Sequence, residues 1–76
     1  MVDELSYNRR SGCYEGETSD GKYRVSVSRS AMAEARHIAA LEGKSTTDYL
    51  TWLYAPDTWA HDPILQDTDG VEIEDL

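Results

Sequence analysis

The segment from Lys22 to Tyr54 most constrains the fold of this chain, because one short strand is followed by two helices that meet at a glycine. Tyr23, Val25 and Val27 alternate with polar residues, and strict alternation predicts a half-buried strand. A lone strand leaves backbone N–H and C=O groups without partners, so it needs another strand beside it. We therefore expect this strand to pair with the same strand of a second copy, in a homodimer.

Two helices are predicted after the strand. The first, from Ala31 to Glu42, has an apolar stripe made mostly of alanine, which permits close packing against a neighbour. Gly43 ends it, because glycine adopts the left-handed conformation of a helix C-cap at little cost. Ser45 then caps the second helix by accepting a hydrogen bond from a first-turn amide. Dimerisation would supplement the small core that a chain of this length can bury.

The charge of the chain is divided between a mildly basic middle and acidic flanks. The net charge is −8, with −3 over residues 1–21, +2 over residues 22–54 and −7 over residues 55–76. Residues 1–21 are polar and show no hydrophobic period, so we expect a flexible arm. The Asp20-Gly21 turn signal leaves open a hairpin in which an extended Gly12–Glu17 segment folds back beside the strand, although the alternation there is poor.

Residues 55–76 are expected to leave the domain as an acidic tail. Ala55-Pro56-Asp57 stops the second helix, and apolar residues are interspersed among the seven acids of this segment. Such interleaving suits a segment that folds onto a basic partner. The alternative is an acidic tail that only keeps the chain in solution. The residues expected to contact the partner are Trp59, Ile64, Leu65, Val71 and Ile73.

Several classes of function lack support in the sequence. We find no paired Cys or His ligands, no Ser-His-Asp set on ordered elements and no phosphate-cradling glycine loop. We therefore expect no enzyme, no cofactor and no metal site. The chain has no apolar run long enough to cross a membrane and no signal-peptide layout, and it carries one cysteine. A cytoplasmic protein without membrane association is expected.

The polar face of the predicted strand is basic and rich in hydroxyl groups. A two-stranded antiparallel ribbon with such a face fits the major groove of DNA. Lys44, beside the free amides that begin the second helix, suits a phosphate. The alternatives are a solvated strand face and an ordinary helix cap. The strand residues on this face are Lys22, Arg24, Ser26 and Ser28.

Residues 22–54 resemble the ribbon-helix-helix proteins of the Arc/MetJ/CopG superfamily. From Ala39 to Tyr49 the sequence Ala-Ala-Leu-Glu-Gly-Lys-Ser-Thr-Thr-Asp-Tyr is similar to a region of TacA-type antitoxins, which are paired with acetyltransferase toxins. The resemblance implies a mainly α protein whose strand and two helices form an intertwined homodimer with a two-stranded antiparallel ribbon. Residues 22–54 would be the dimerisation and DNA-binding domain, between an arm at 1–21 and a partner-binding tail at 55–76. The DNA contacts that the resemblance implies are Lys22, Arg24, Ser26, Ser28, Lys44, Ser45 and Thr46.

The function expected from these features is that of a dimeric DNA-binding transcriptional repressor. It would bind its own operator as the antitoxin of a toxin–antitoxin pair, with the ribbon in the major groove and the acidic tail on a basic toxin. The alternative is an acidic inhibitor or nucleic-acid mimic, of phage or anti-defence type, that has the same fold and binds little DNA. The charge map distinguishes them, because DNA binding requires Lys22, Arg24 and Lys44 to form one face clear of the acidic flanks.

Overall fold

The structure is a computed structural model that describes residues 5–76, so the first four residues of the predicted arm lie outside it. The described residues form a four-stranded antiparallel sheet, in the order β1-β2-β3-β4, and four helices. The strands are β1 (Ser6–Asn8), β2 (Cys13–Glu17), β3 (Tyr23–Ser28) and β4 (Val71–Asp75). The helices are α1 (Arg29–Leu41), α2 (Thr46–Leu53), α3 (Pro56–His61) and α4 (Pro63–Gln66).

The strand predicted from alternation is confirmed as β3, and it lies inside the sheet. Val25 and Val27 are fully buried under the helices, whereas Arg24 on the opposite face is exposed. β3 pairs with β2 along one edge and with β4 along the other. Its backbone groups are therefore satisfied within one copy of the chain.

The predicted ribbon-helix-helix arrangement is wrong for this fold. An intertwined dimer needs a free edge on β3 for the second copy, and both edges of β3 are occupied. The partner strands come from residues 13–17 and 71–75, which belong to the segments predicted to be flexible flanks. The physical reason is that these segments, although rich in acids, supply backbone hydrogen bonds to both sides of the strand in the middle.

The β2–β3 hairpin turns where the Asp20-Gly21 signal predicted a turn. The backbone N–H of Thr18 donates to the carbonyl of Tyr23 at 3.0 Å. The Thr18 hydroxyl donates to the Asp20 carboxylate at 2.6 Å, and the backbone N–H of Lys22 donates to it at 3.0 Å. These two hydrogen bonds hold the pKa of Asp20 below its usual value, and the one from the Thr18 hydroxyl has the larger effect. The hairpin that the sequence left open is therefore present, and the flexible arm is corrected to β1 and β2 over the described residues.

Residues 55–76 pack into the fold, so the flexible acidic tail is also corrected. Trp59 on α3 is fully buried, and its indole N–H donates to the carbonyl of Leu53 at 2.8 Å. Leu65 on α4 is also buried, and β4 then returns along β3. Most of the apolar residues among the acids thus form the inner sides of short amphipathic elements, whereas Ile64 and Leu76 are exposed. Burial of the inner residues stabilises the domain through removal of apolar surface from water.

The two predicted helices are confirmed, and the predicted caps at Gly43 and Ser45 are formed as expected. The Ser28 hydroxyl accepts a hydrogen bond from the N–H of Ala31 at 3.1 Å at the start of α1. Gly43 follows α1 with a positive φ of 69°, and the Ser45 hydroxyl accepts from the N–H of Asp48 at 3.2 Å at the start of α2. The residues of α1 that face the core are Ala31, Met32, Ala35 and Ala39.

The hydrophobic core lies between one face of the sheet and the helices. Because Val25 and Val27 share this core with residues of all four helices, the helices cover the face to which odd-numbered residues of β3 point. The opposite face carries the even-numbered residues. The buried core residues are Leu5, Val25, Val27, Ala31, Met32, Ala35, Leu53, Trp59, Ala60 and Leu65.

Candidate functional site

The sheet face away from the helices brings together charged residues from three strands. Arg24 on β3 lies opposite Glu17 on β2 and Glu74 on β4 in the sheet register. Residues that are directly opposite in an antiparallel pair point to the same face. The predicted groove-facing arginine therefore has a glutamate on each side.

The next position along β3 repeats the arrangement. Ser26 lies opposite Glu15 on β2 and Glu72 on β4. Successive residues on one face of a strand are about 6.7 Å apart, and neighbouring strands are about 4.8 Å apart. Four carboxylates thus form two rows on either side of a central arginine and serine. We call this surface the acidic face: Glu15, Glu17, Arg24, Ser26, Glu72 and Glu74.

Hydrogen bonds hold the β2 row of the acidic face in place. A guanidinium nitrogen of Arg24 lies 3.2 Å from Glu17 Oε1, and both side chains are about half exposed. An exposed ion pair of this kind contributes about 0–1 kcal/mol. Asn8 Nδ2 donates to Glu15 Oε1 at 2.7 Å, and the Ser11 hydroxyl donates to the same oxygen at 3.0 Å. The carboxylates of β2 are therefore oriented by neighbours on β1, β3 and the first turn.

Two shallow hollows flank Arg24 on this face. One, of about 450 Å³, lies over β1 and β2 and includes Glu15 and Glu17 in its lining. The other, of about 520 Å³, lies over β3 and β4 and is lined by Arg24, Ser26, Glu72, Ile73 and Glu74. Both hollows are wide and open, so they suit contact with a macromolecule better than enclosure of a small ligand.

The residues predicted to contact DNA are divided by the sheet. Arg24 and Ser26 lie on the face away from the helices, as predicted, whereas the hydroxyl of Ser28 accepts from the N–H of Ala31 and caps α1. Lys44 lies in the helix layer at the α1–α2 junction, where its ammonium group is 3.5 Å from a carboxylate oxygen of Glu42 and 5.2 Å from the centre of the Trp52 ring. The Lys44 and Arg24 side chains therefore do not form one basic surface.

The other residues of the predicted phosphate site have structural contacts. Ser45 uses its hydroxyl to cap α2, and Thr46 is the first residue of that helix. Lys22 precedes β3, and its carbonyl accepts a hydrogen bond from the N–H of Leu76 at 2.8 Å. That these residues contact DNA stays a prediction.

The residues predicted to bind a partner are mostly in or against the core. Trp59 and Leu65 are buried, and Val71 and Ile73 are half-buried on the helix side of β4. Ile64 on α4 is 59% exposed. Partner binding by this set stays a prediction, and in this fold Ile64 is the best exposed of the five.

Sequence patterns did not identify the four glutamates of the acidic face as a site. A signal existed, because Glu72 and Glu74 alternate with Val71 and Ile73 as in a half-buried strand. The same two-residue spacing joins Glu15 and Glu17. What was missing is the pairing of both segments with β3, which no local pattern contains.

Comparison with protein-family models, with curated proteins and with solved structures finds no match to the chain. The resemblance to ribbon-helix-helix proteins therefore stays a resemblance of residues 22–54. Among residues 5–76, none of the helices is long and apolar enough to span a bilayer. The same residues contain no group of three or more His, Cys, Asp or Glu side chains placed to hold a metal ion.

Proposed function

We propose that the protein is an acidic binding module that occupies a positively charged surface of a partner protein, as an inhibitor or nucleic-acid mimic does. The observation that carries the proposal is the acidic face, where four carboxylates surround one guanidinium on a single side of the sheet. Rows of carboxylates at fixed spacing offer Lys and Arg side chains the charged acceptors that a phosphate backbone offers.

The physical advantage of such a face is speed and selectivity of association. Complementary potentials steer diffusional encounter and exclude partners of the same charge. The net charge of −8 adds a long-range field of the same sign. A toxin with a basic surface is one partner of this class, so the toxin-binding half of the antitoxin prediction is retained in the proposal.

Affinity capture with matched charge variants tests the proposal. The acidic-face variant E15Q/E72Q/E74Q leaves the Arg24–Glu17 ion pair in place. The control E34Q/D67N/D69N removes the same number of charges from exposed residues of α1 and the α4–β4 connection. Each protein is immobilised, an extract of the source cells is passed over it, and the retained basic protein is purified for titration.

We expect the partner to bind the wild type and the control equally and the acidic-face variant at least about tenfold more weakly, a loss of about 1.4 kcal/mol. Binding should weaken as salt is added, because screening shortens the range of the field. Equal affinity for the acidic-face variant and the wild type would overturn the proposal.

Fluorescence anisotropy on the upstream DNA of the gene tests the repressor alternative. With carboxylates on both sides of Arg24, we expect no specific binding even at low salt. Salt-sensitive binding that Arg24→Ala abolishes would contradict the acidic-module proposal and support a repressor.

A further inference from the structure

β4 is an edge strand whose outer side is open in the part of the chain that the structure describes. The N–H of Leu76 donates to the carbonyl of Lys22 at 2.8 Å, which fixes the register so that even-numbered residues of β4 bond to β3. The N–H and C=O groups of Ile73 and Asp75 therefore point away from the sheet. Unpaired backbone groups at a strand edge are a template for another strand.

The two sides of this edge differ in chemistry. Glu72 and Glu74 lie on the acidic face, whereas Val71 and Ile73 are half-buried on the helix side. α4 packs next to β4 and leaves Ile64 exposed. A strand added beside β4 would thus meet two carboxylates on one face and, on the other, the apolar side chains of Val71 and Ile73 followed by Asp75.

We propose that the outer edge of β4 binds an extended segment of the basic partner as a fifth strand. Every second residue of the segment is Lys or Arg, placed opposite Glu72 and Glu74, and the residues between these basic positions are apolar. In strand addition, main-chain hydrogen bonds supply affinity and alternate side chains supply selectivity. This inference rests on the proposed function and specifies how its partner is held.

A second copy of this chain fits the edge poorly. Antiparallel self-pairing centred on Ile73 would place Glu72 opposite the Glu74 of the second copy, and like charges directly opposite each other destabilise a strand pair. A basic segment reverses the sign of that interaction. Charge complementarity therefore favours a basic partner segment over self-association.

A designed peptide serves as the probe. It alternates Lys and Val over eight residues and is blocked at both ends, and a second peptide of the same composition has its lysines grouped. We expect the alternating peptide to protect the amides of Ile73 and Asp75 from hydrogen exchange, as measured by NMR. The grouped peptide, which has equal charge, should bind at least about tenfold more weakly.

A backbone-modified probe separates strand pairing from charge attraction without altering the protein. Methylation of the alternate peptide nitrogens that would face β4 removes the donors and keeps every charge. We expect it to abolish protection of Ile73 and Asp75. In the protein, Asp75→Pro removes one outward N–H and should weaken binding of the unmodified peptide at least about tenfold, with Asp75→Asn as the control for charge.

The outcomes distinguish this inference from the proposed function. Equal binding of the methylated or the grouped peptide would overturn strand addition. The acidic-module proposal would still stand if E15Q/E72Q/E74Q weakened binding to the protein partner. Protection of Ile73 and Asp75 that rises with protein concentration, without peptide, would assign the edge to a second copy and overturn the inference. Failure of millimolar peptide to protect either amide would also overturn it.

Discussion

Gly70, just before β4, has a backbone conformation and close neighbours that leave no room for a side chain. Its φ is +91°, and a Cβ built on it would overlap the hydroxyl oxygen of Ser28. Ser28 also donates its backbone N–H to the carbonyl of Gly70 at 2.8 Å and caps α1. One residue pair thus joins the end of β3, the start of α1 and the start of β4.

Gly70→Ala is expected to destabilise the protein by about 2–4 kcal/mol, because it combines backbone strain with a steric clash. Gly43→Ala is the control, since Gly43 has a similar φ of +69° but open space around it. That change should cost about 1–2 kcal/mol. Urea denaturation measures both. A Gly70→Ala protein as stable as the wild type would mean that β4 does not pack against β3.

Asp20→Asn tests the β2–β3 turn through pH. The hydrogen bonds from Thr18 and Lys22 lower the pKa of Asp20 in the folded protein. A lowered pKa means that the ionised carboxylate stabilises the fold above its unfolded pKa of about 3.9, and that this contribution is lost as the pH falls through the folded value. We expect Asp20→Asn to lower the melting temperature at neutral pH. The difference should disappear in acid, and a difference that persists there would contradict the assigned cause.

At the scale of the element, β3 distinguishes this fold from the ribbon that the sequence predicted. Odd-numbered residues of β3 bond to β2 and even-numbered residues bond to β4, as the Thr18–Tyr23 and Leu76–Lys22 hydrogen bonds fix the two registers. We expect the amides from Tyr23 to Ser28 to be protected from hydrogen exchange without alternation. NMR exchange measures this. Protection of every second amide alone would indicate an open edge and a different arrangement of the chain.

The elements that sequence reasoning predicted are those with a complete local signal. β3 alternates strictly, and α1 and α2 each have apolar residues at helical spacing and a serine cap. Gly43 marks the end of α1, and Pro56 marks the end of α2. β2 contains Gly16 where an inward side chain is expected, so its alternation fails. Trp59 was expected to bind a partner because it lies among acids, yet it is buried in the core, where its indole N–H donates to the carbonyl of Leu53 on α2. Non-local contacts of this kind leave no pattern in the segment itself.

The candidate site follows the same rule. Period-two alternation was enough to predict that Arg24 and Ser26 lie on the face of β3 away from the core. Their neighbours on the acidic face are separated from them by up to 50 residues of sequence, the distance from Arg24 to Glu74. Local sequence therefore predicted the centre of this face and missed the charge of its neighbours. That charge is the reason we propose that this face binds a basic protein and not DNA.

For the molecule as a whole, we expect the charge repulsion within the acidic face to lower the stability of the folded state. Glu72 and Glu74 are about 6.7 Å apart on one side of β4, a separation that costs about 0.6 kcal/mol in water before screening. The chain also carries a net charge of −8, and self-repulsion destabilises a compact state. Such a cost is expected where charges serve binding, since function and stability often compete.

Salt and charge removal should therefore both stabilise the protein. We expect the melting temperature to rise with added sodium chloride, because the Debye length falls from about 10 Å at 0.1 M to about 3 Å at 1 M.

The variant E15Q/E72Q/E74Q should be more stable than the wild type at low salt, and its melting temperature should rise less with added salt. The control E34Q/D67N/D69N reaches the same net charge of −5 and should gain less, because none of its three residues lies in a strand of the acidic face. An equal gain in the control would assign the cost to net charge alone. No gain in either variant would mean that hydrogen bonds such as Asn8 to Glu15 already offset the repulsion.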